Sequence, residues 1–187
     1  YYSGSLVTLD GKCIRDRTIP ILDAQAILSS FASSVPQEVP IYYEIDDRLY
    51  ANQALDPGPG VTAHDVVDLT APLRRAPVKI VLDITRIDDP YPILGNLPES
   101  VRYVIADGVI AMITCSDVNK ASGIEVVLEH WGESFDQVIA IGDDLSDLDM
   151  IERATIGIAM ANGHDKIKAI ADRTAPSNDK DGVAIII

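Results

Sequence analysis

One stretch of the sequence decides the fold: Ile141-Gly142-Asp143-Asp144-Leu145-Ser146-Asp147-Leu148-Asp149-Met150. The apolar segment Val138 to Ile141 leads into it, and the spacing predicts a helix from Leu145 to Arg153 directly after it. A short strand that is apolar on both faces is typical of a parallel sheet covered by helices on both sides. In open α/β sheets ligands bind at the carboxyl ends of such strands. The stretch therefore predicts an α/β fold with a site just after Ile141.

The same alternation of strand and helix continues on both sides of this stretch. The pattern predicts a helix over Asn119 to Trp131, a strand over Ile156 to Met160 and a helix over Asp165 to Ala171. This alternation indicates a parallel, Rossmann-like sheet. About 75 residues supply too few strands for a sheet whose usual members have five or six. The chain also begins without Met and ends on the apolar run Val183 to Ile187, so we expect a fragment that holds an incomplete sheet.

The first half of the chain has a different pattern, made of short strands and tight turns. Asp10-Gly11, Asp46-Asp47 and Asp107-Gly108 each lie between two apolar runs, which predicts three hairpins. The apolar spacing from Ile21 to Ser33 predicts a helix. Residues 52–77 are rich in Pro and Gly and are predicted to be loop, with at most a short helix near 64–69. Antiparallel strands with one helix indicate a separate α/β unit.

Composition excludes several classes of protein. The 29 acidic residues outnumber the 15 Lys and Arg, giving a formal charge of −14, which disfavours binding to nucleic acid. No run of 18 apolar residues is present, so we expect no membrane span. The two cysteines, Cys13 and Cys115, are far apart and form no zinc or disulfide pattern. A reduced, cytoplasmic setting fits this composition, and the sequence indicates no particular oligomeric state.

Two carboxylates in the deciding stretch are candidates for a metal site. Asp143 and Asp147 are four residues apart and can converge on one point, where two carboxylates repel each other unless a cation lies between them. Hard oxygen ligands that leave room for water and phosphate suit Mg²⁺. An alternative interpretation is that acids in the first turn of a helix stabilise its dipole.

Two further side chains are candidates for binding an anion. Lys120 falls in the first turn of a predicted helix, where the dipole disfavours a cation unless an anion is near. Asn162 follows the strand that ends at Met160, at the same edge of the predicted sheet. The alternatives are that Lys120 is a solvated surface lysine and that Asn162 belongs to a plain Asn-Gly turn.

Taken together, these motifs resemble the C-terminal part of a Cof-type haloacid dehalogenase (HAD) superfamily phosphatase. The resemblance rests on residues in the order of the chain: Tyr43-Glu44, Tyr50-Ala51-Asn52, Asn119-Lys120, Gly142 to Met150, Ile158-Ala159-Met160-Ala161-Asn162 and Asp181-Gly182-Val183-Ala184. It implies a Rossmann-like core with an inserted α/β cap. We accordingly expect residues 1–16 to enter the core, 17–112 to form the cap and 113–187 to form the second half of the core.

The resemblance also implies an activity and roles for named residues. It implies Mg²⁺-dependent hydrolysis of a small phosphorylated metabolite, such as a sugar phosphate, by an aspartate nucleophile. Lys120 would hold the charges of the nucleophile and the phosphate, and Asn162 would contact the phosphate or the substrate. Asp143 would ligate Mg²⁺, and Asp147 would act with Lys120 in catalysis and support the metal or its water. Ser146 stands where the subfamily often has Asn.

The nucleophile motif of the family, Asp-x-Asp-Gly after an apolar strand, is not expected within this sequence. Three segments match part of the motif and are rejected: Asp179 to Val183 follows a predicted turn, Val81 to Thr85 falls in the cap, and Asp147 to Asp149 is helical. We therefore expect this chain alone to be inactive and the intact protein to be the enzyme. The alternative is a noncatalytic family member that binds a phosphorylated ligand or a protein partner.

Overall fold

The computed structural model describes residues 1–55 and 64–187, and these residues divide into two compact units. The core unit comprises Tyr1, Ser3–Asp16 and Val118–Ile187, and the cap unit comprises Tyr2 and Arg17–Asp117. The ends of the cap unit lie together, because Arg17 Nη2 is 3.1 Å from Asp117 Oδ2. In this division the first boundary falls after Asp16 and the second after Asp117.

Strands and helices alternate in the C-terminal part of the chain, whereas the part before it consists mainly of successive strands. In chain order they are β1 (Leu6–Leu9), β2 (Lys12–Asp16), α1 (Ile21–Ser34), β3 (Ile41–Ile45), β4 (Arg48–Ala51), β5 (His64–Val66), β6 (Lys79–Asp83), α2 (Tyr91–Leu94), β7 (Val101–Ala106), β8 (Ile110–Cys115), α3 (Lys120–Trp131), β9 (Ile139–Gly142), α4 (Leu148–Arg153), β10 (Ile156–Met160), α5 (Asp165–Ile170), β11 (Arg173–Ala175) and α6 (Gly182–Ile186). The predicted α/β fold is confirmed.

The cap unit is one sheet with a long helix on one face. Its strands lie in the order β5-β4-β3-β6-β8-β7, and all neighbours are antiparallel except β4 and β5. The buried stripe of α1 includes Leu28 and Phe31, which pack in one cluster with Ile41, Leu82 and Ile113 of the sheet. Because β8 pairs along its length with both β6 and β7, the cap extends to the end of that strand.

The core unit contains the predicted parallel sheet, with strand order β11-β10-β9. Ala140 and Ala159 pack on one face against Ile151 of α4 and Ile167 of α5. On the other face Ile158 and Met160 pack with Ala175 and with Ile186 of α6. Burial of both faces explains why these strands are apolar throughout. The hairpin β1–β2 contacts α3, and no helix in the described ranges is long and apolar enough to cross a membrane.

Several short elements differ from the sequence-based expectation. The predicted short helix near 64–69 is wrong, because His64–Val66 forms strand β5 beside β4. The predicted loop spans 52–77, and its residues 56–63 lie outside the described residues. Thr174 and Ala175, predicted to be a turn, belong to strand β11. Elements of three or four residues carry too little periodicity to be predicted, and their pairing depends on partners elsewhere in the chain.

Candidate active site

The candidate site begins where β9 ends. The predicted helix over 145–153 starts as a 3-10 turn, Leu145–Asp147, and continues as α4. Asp144 caps this turn, and its Oδ2 accepts a hydrogen bond from Ser146 N at 3.3 Å. Asp147 Oδ2 accepts two more, from Asp143 N at 3.0 Å and Asp144 N at 3.1 Å. Asp147 therefore fixes the loop that carries Asp143.

The other oxygen of Asp147 is engaged by Lys120. Lys120 Nζ donates a hydrogen bond to Asp147 Oδ1 and forms an ion pair with it. Asp147 is only 3% exposed, whereas the side chain of Lys120 is 37% exposed. A buried carboxylate needs a compensating charge and hydrogen bonds, and Lys120 with the two backbone N–H groups supplies them. The cation that compensates the charge of Asp147 is thus the ammonium of Lys120.

Lys120 is positioned by the start of α3. Asn119 is the N-cap residue, and its Oδ1 accepts a hydrogen bond from Ser122 N at 2.7 Å. Asn119 N donates in return to Ser122 Oγ at 3.0 Å, which completes a capping box. This reciprocal pair fixes the first turn of the helix, and with it the backbone of Lys120.

Asp143 is held from the opposite side by the loop after β10. Its backbone oxygen accepts a hydrogen bond from His164 N at 2.8 Å. Asn162 Nδ2 lies 3.4 Å from Asp143 Oδ2, and Asn162 Oδ1 accepts a hydrogen bond from Asn178 N at 3.0 Å. Asn162 thus connects Asp143 to the turn after β11. All four residues predicted to form the site, Lys120, Asp143, Asp147 and Asn162, lie together in the core unit.

One side chain of this site, the carboxylate of Asp143, is suited to bind Mg²⁺. Among residues 1–55 and 64–187, no group of three or more His, Cys, Asp or Glu side chains is arranged to hold a metal ion. Both oxygens of Asp147 are engaged by protein donors. Within the described part of the chain, the exposed carboxylate of Asp143 has only the long contact with Asn162. A single free carboxylate suits Mg²⁺, which binds one or two carboxylates and takes its other ligands from water and phosphate.

Gly142 is required by the close approach of Asp147. A Cβ atom at residue 142 would lie 2.5 Å from Asp147 Cβ and 2.6 Å from its Cγ. We expect Gly142→Ala to lower the free energy of unfolding by about 1–3 kcal/mol, because the loop must move away from the strand. Urea unfolding followed by circular dichroism measures this.

Gly95→Ala is the matched control. Its backbone is helical, with φ −72°, and the added methyl group would meet a single carbonyl oxygen at 3.0 Å. We expect a change below about 1 kcal/mol there. Equal losses in the two variants would contradict the requirement for Gly142.

Some contacts of the site were not predicted from the sequence. The backbone N–H groups of His164 and Asn178 contribute through the fold, and backbone groups leave no signal in the sequence. The capping box of Asn119 and Ser122 was readable, since these residue types are frequent at helix starts. The rejected match Asp179 to Val183 forms a 3-10 turn at Asn178–Lys180, followed by Asp181 in the left-handed region (φ 52°). The segment before this match was predicted to be a turn but contains the short strand β11. This part of the reason for rejecting the match is therefore wrong.

Comparison with known proteins identifies the family. The family model for haloacid dehalogenase-like hydrolases matches residues 1–187. A phosphoglycolate phosphatase from Methanopyrus kandleri is 30% identical over 186 residues, which cover 99% of this chain and 68% of that protein. The chain belongs to the haloacid dehalogenase-like hydrolase family.

Other similarities cover less sequence or show the fold alone. The 5-amino-6-(5-phospho-D-ribitylamino)uracil phosphatase YitU of Bacillus subtilis is 45% identical over 69 residues, which are 37% of this chain and 26% of that protein. The chain spans about a quarter or less of the length of the curated relatives that it matches at 45% identity or more. A solved structure, the HAD subclass IIB sugar phosphatase BT4131, aligns with a TM-score of 0.83 at 19% identity and covers 98% of this chain and 72% of that one. This last similarity supports the predicted core with an inserted cap.

Proposed function

We propose that the intact protein containing this chain is a Mg²⁺-dependent phosphatase of a small phosphorylated metabolite, such as a sugar phosphate. The observation that carries the proposal is the ion pair of the half-exposed Lys120 with the buried Asp147, beside the free carboxylate of Asp143. The names of the two relatives above, both phosphatases of small phosphorylated compounds, support the same class of substrate. The position of the site, at the carboxyl end of a parallel strand, is where α/β proteins bind ligands.

Lys120 is proposed to bind the phosphoryl group. Asp147 holds the ammonium at one of its three N–H bonds and leaves the exposed side of the group for an anion. A fixed cation next to a phosphoryl group stabilises the charge that shifts during its transfer. We assign Asp147 to positioning Lys120 and the loop, because both of its oxygens already accept hydrogen bonds from protein donors.

Asp143 is proposed to hold Mg²⁺ directly. When bound, Mg²⁺ supplies positive charge to the oxygens of the phosphoryl group. Asn162 restrains the carboxylate of Asp143 through its amide, and its own carbonyl oxygen is occupied by Asn178 N. We therefore propose that Asn162 contributes to phosphate binding mainly by orienting Asp143.

The intact protein tests the proposed function directly. Release of inorganic phosphate from a panel of sugar phosphates and other small phosphomonoesters is measured with Mg²⁺ and with EDTA. The proposal expects turnover that requires Mg²⁺. Binding of phosphorylated compounds with no turnover would favour the alternative, a noncatalytic family member, and turnover unaffected by EDTA would exclude the metal role.

The 187-residue chain alone is expected to give no Mg²⁺-dependent phosphate release. Lys120 and Asp143 can stabilise charge, but a covalent phosphoryl intermediate also needs a nucleophile. We expect no residue of this sequence to act as that nucleophile. The measurement is the same phosphate assay on the pure chain. Phosphate release that is abolished by Asp181→Asn would show that the Asp179 to Val183 match was wrongly rejected.

Mg²⁺ binding is expected to depend on Asp143. Asp143→Asn removes the single free carboxylate of the site and should weaken binding at least tenfold, which corresponds to about 1.4 kcal/mol. Calorimetric titration of Mg²⁺ measures this in the intact protein. Asp165→Asn is the control, because its side chain is 95% exposed and pairs with Lys168. Equal weakening in both variants would contradict the assignment.

A further inference from the structure

The cap unit contains a cavity that the proposed function does not use. Its volume is about 420 Å³, within the range of small-molecule sites. Tyr43 and Tyr50 line it from the sheet, and Val67 and Leu73 line it from the segment that covers this end of the sheet. Both tyrosines pack with the core cluster that includes α1, so the cavity is on the helix-covered face of the sheet.

The walls of this cavity are fixed by contacts within the cap unit. The rings of Tyr43 and Tyr50 stack, with centroids 5.2 Å apart and an interplanar angle of 14°. Gln25 of α1 holds the covering segment, since its Oε1 accepts a hydrogen bond from Leu73 N at 2.7 Å and its Nε2 donates to Leu69 O at 3.4 Å. A cavity whose walls are already held in place binds a ligand at a lower entropic cost.

The hydroxyl of Tyr43, in the cavity wall, makes no hydrogen bond within residues 1–55 and 64–187. Tyr43 is only 8% exposed. A hydroxyl at a cavity surface that has no protein partner can bond to a ligand or to water. Burial, with Tyr50 nearby, raises the pKa of Tyr43, so the hydroxyl keeps its proton and acts as a donor.

Four charged residues line the cavity, and two of them, Asp68 and Arg74, have no ion pair within the described residues. Arg75 forms an ion pair with Asp46. Asp68 Oδ1 accepts hydrogen bonds from Thr70 N at 2.8 Å and Thr70 Oγ1 at 2.7 Å. Arg74 also lines the cavity and has no ion pair or hydrogen bond within 1–55 and 64–187. The side-chain donor groups of the lining that have no hydrogen bond within the described residues are the Tyr43 and Tyr50 hydroxyls and the Arg74 guanidinium.

We propose that this cavity binds a small aromatic carboxylate, with its ring against the tyrosine and aliphatic walls and its carboxylate on the Tyr43 hydroxyl and Arg74. The apolar and aromatic walls favour a planar ring. A carboxylate accepts hydrogen bonds and carries a single negative charge, which matches one unpaired guanidinium. The site lies wholly in the cap unit and includes none of the residues of the candidate active site.

Titration with 2-naphthoate, followed by its fluorescence, tests the proposal on the full chain. We expect saturable binding at one site and weaker binding of the uncharged 2-naphthalenemethanol. Arg74→Gln should weaken naphthoate binding about tenfold and remove the preference for the charged probe. Tyr43→Phe should weaken it severalfold; this variant retains the ring and loses no hydrogen bond to residues 1–55 or 64–187, so it is expected to fold.

Two controls separate this site from others. Arg86→Gln changes an exposed arginine of the cap that does not line the cavity, and it should leave naphthoate binding unchanged. Asp143→Asn should also leave it unchanged, which keeps this test independent of the proposed phosphatase activity. The proposal is overturned by a lack of saturable binding, by equal effects of Arg86→Gln and Arg74→Gln, or by loss of binding in Asp143→Asn.

Discussion

Replacing Asp147 by alanine is expected to lower the free energy of unfolding of the core unit by about 2–4 kcal/mol. The variant leaves the N–H groups of Asp143 and Asp144 without an acceptor and removes the partner of Lys120. Because Lys120 is half-exposed, water can hydrate its ammonium, which keeps the loss below that of a fully buried pair. Urea unfolding followed by circular dichroism and by the fluorescence of Trp131, the only tryptophan, measures the change.

Asp165→Ala serves as the control for this prediction. Asp165 lies in the first turn of α5, and its side chain is 95% exposed. Its removal should cost no more than about 0.5 kcal/mol. An equally small loss for Asp147→Ala would contradict the role of Asp147 in holding the loop.

Lys120→Gln is expected to lower kcat of the intact protein by about 10²–10³-fold. Glutamine keeps an N–H group that can donate to Asp147 Oδ1 but lacks the charge that stabilises a phosphoryl group in transfer. Stability should fall by about 1–3 kcal/mol, because the buried carboxylate of Asp147 loses its compensating charge, while the rate falls steeply. The measurements are steady-state phosphate release and urea unfolding of the same variant.

Lys168→Gln is the matched control for Lys120→Gln. Lys168 pairs with the exposed Asp165 on α5, so the same change of residue type should leave the rate unchanged. If both variants retain full activity, Lys120 does not contact the phosphoryl group. If Lys120→Gln unfolds the core unit, the charge of Lys120 is needed for stability in addition to its hydrogen bond with Asp147. In that case Lys120→Arg, which keeps the charge, is used to measure the rate.

The residues of the candidate site could be found from the sequence because they lie beside strong local patterns. Asp143 and Asp147 directly follow an apolar strand, and Lys120 opens a helix with a readable cap. The carboxyl ends of parallel strands meet at one edge, which brings Asn162 to the same place. Their convergence was therefore predictable from the order of elements alone.

The partner of each side chain could not be predicted in the same way. The spacing of Asp143 and Asp147 indicated a shared metal ion, whereas Asp147 is turned inward to two backbone N–H groups and Lys120. Spacing fixes where a residue lies along a turn but not the direction of its side chain. Burial decided that direction, since a carboxylate that is 3% exposed must satisfy its oxygens within the protein.

The paired ends of the cap unit have a consequence for how the chain folds. The core unit is assembled from 3–16 and 118–187, so it is complete only when residues 17–117 have closed a loop. Closing an unstructured loop of about 100 residues costs about 4 kcal/mol in chain entropy. A folded cap, with Arg17 and Asp117 joined at 3.1 Å, has already brought the two ends together. A cap that folds first therefore acts as a short connection, and it removes this entropic barrier from the step in which β1 and β2 dock on α3.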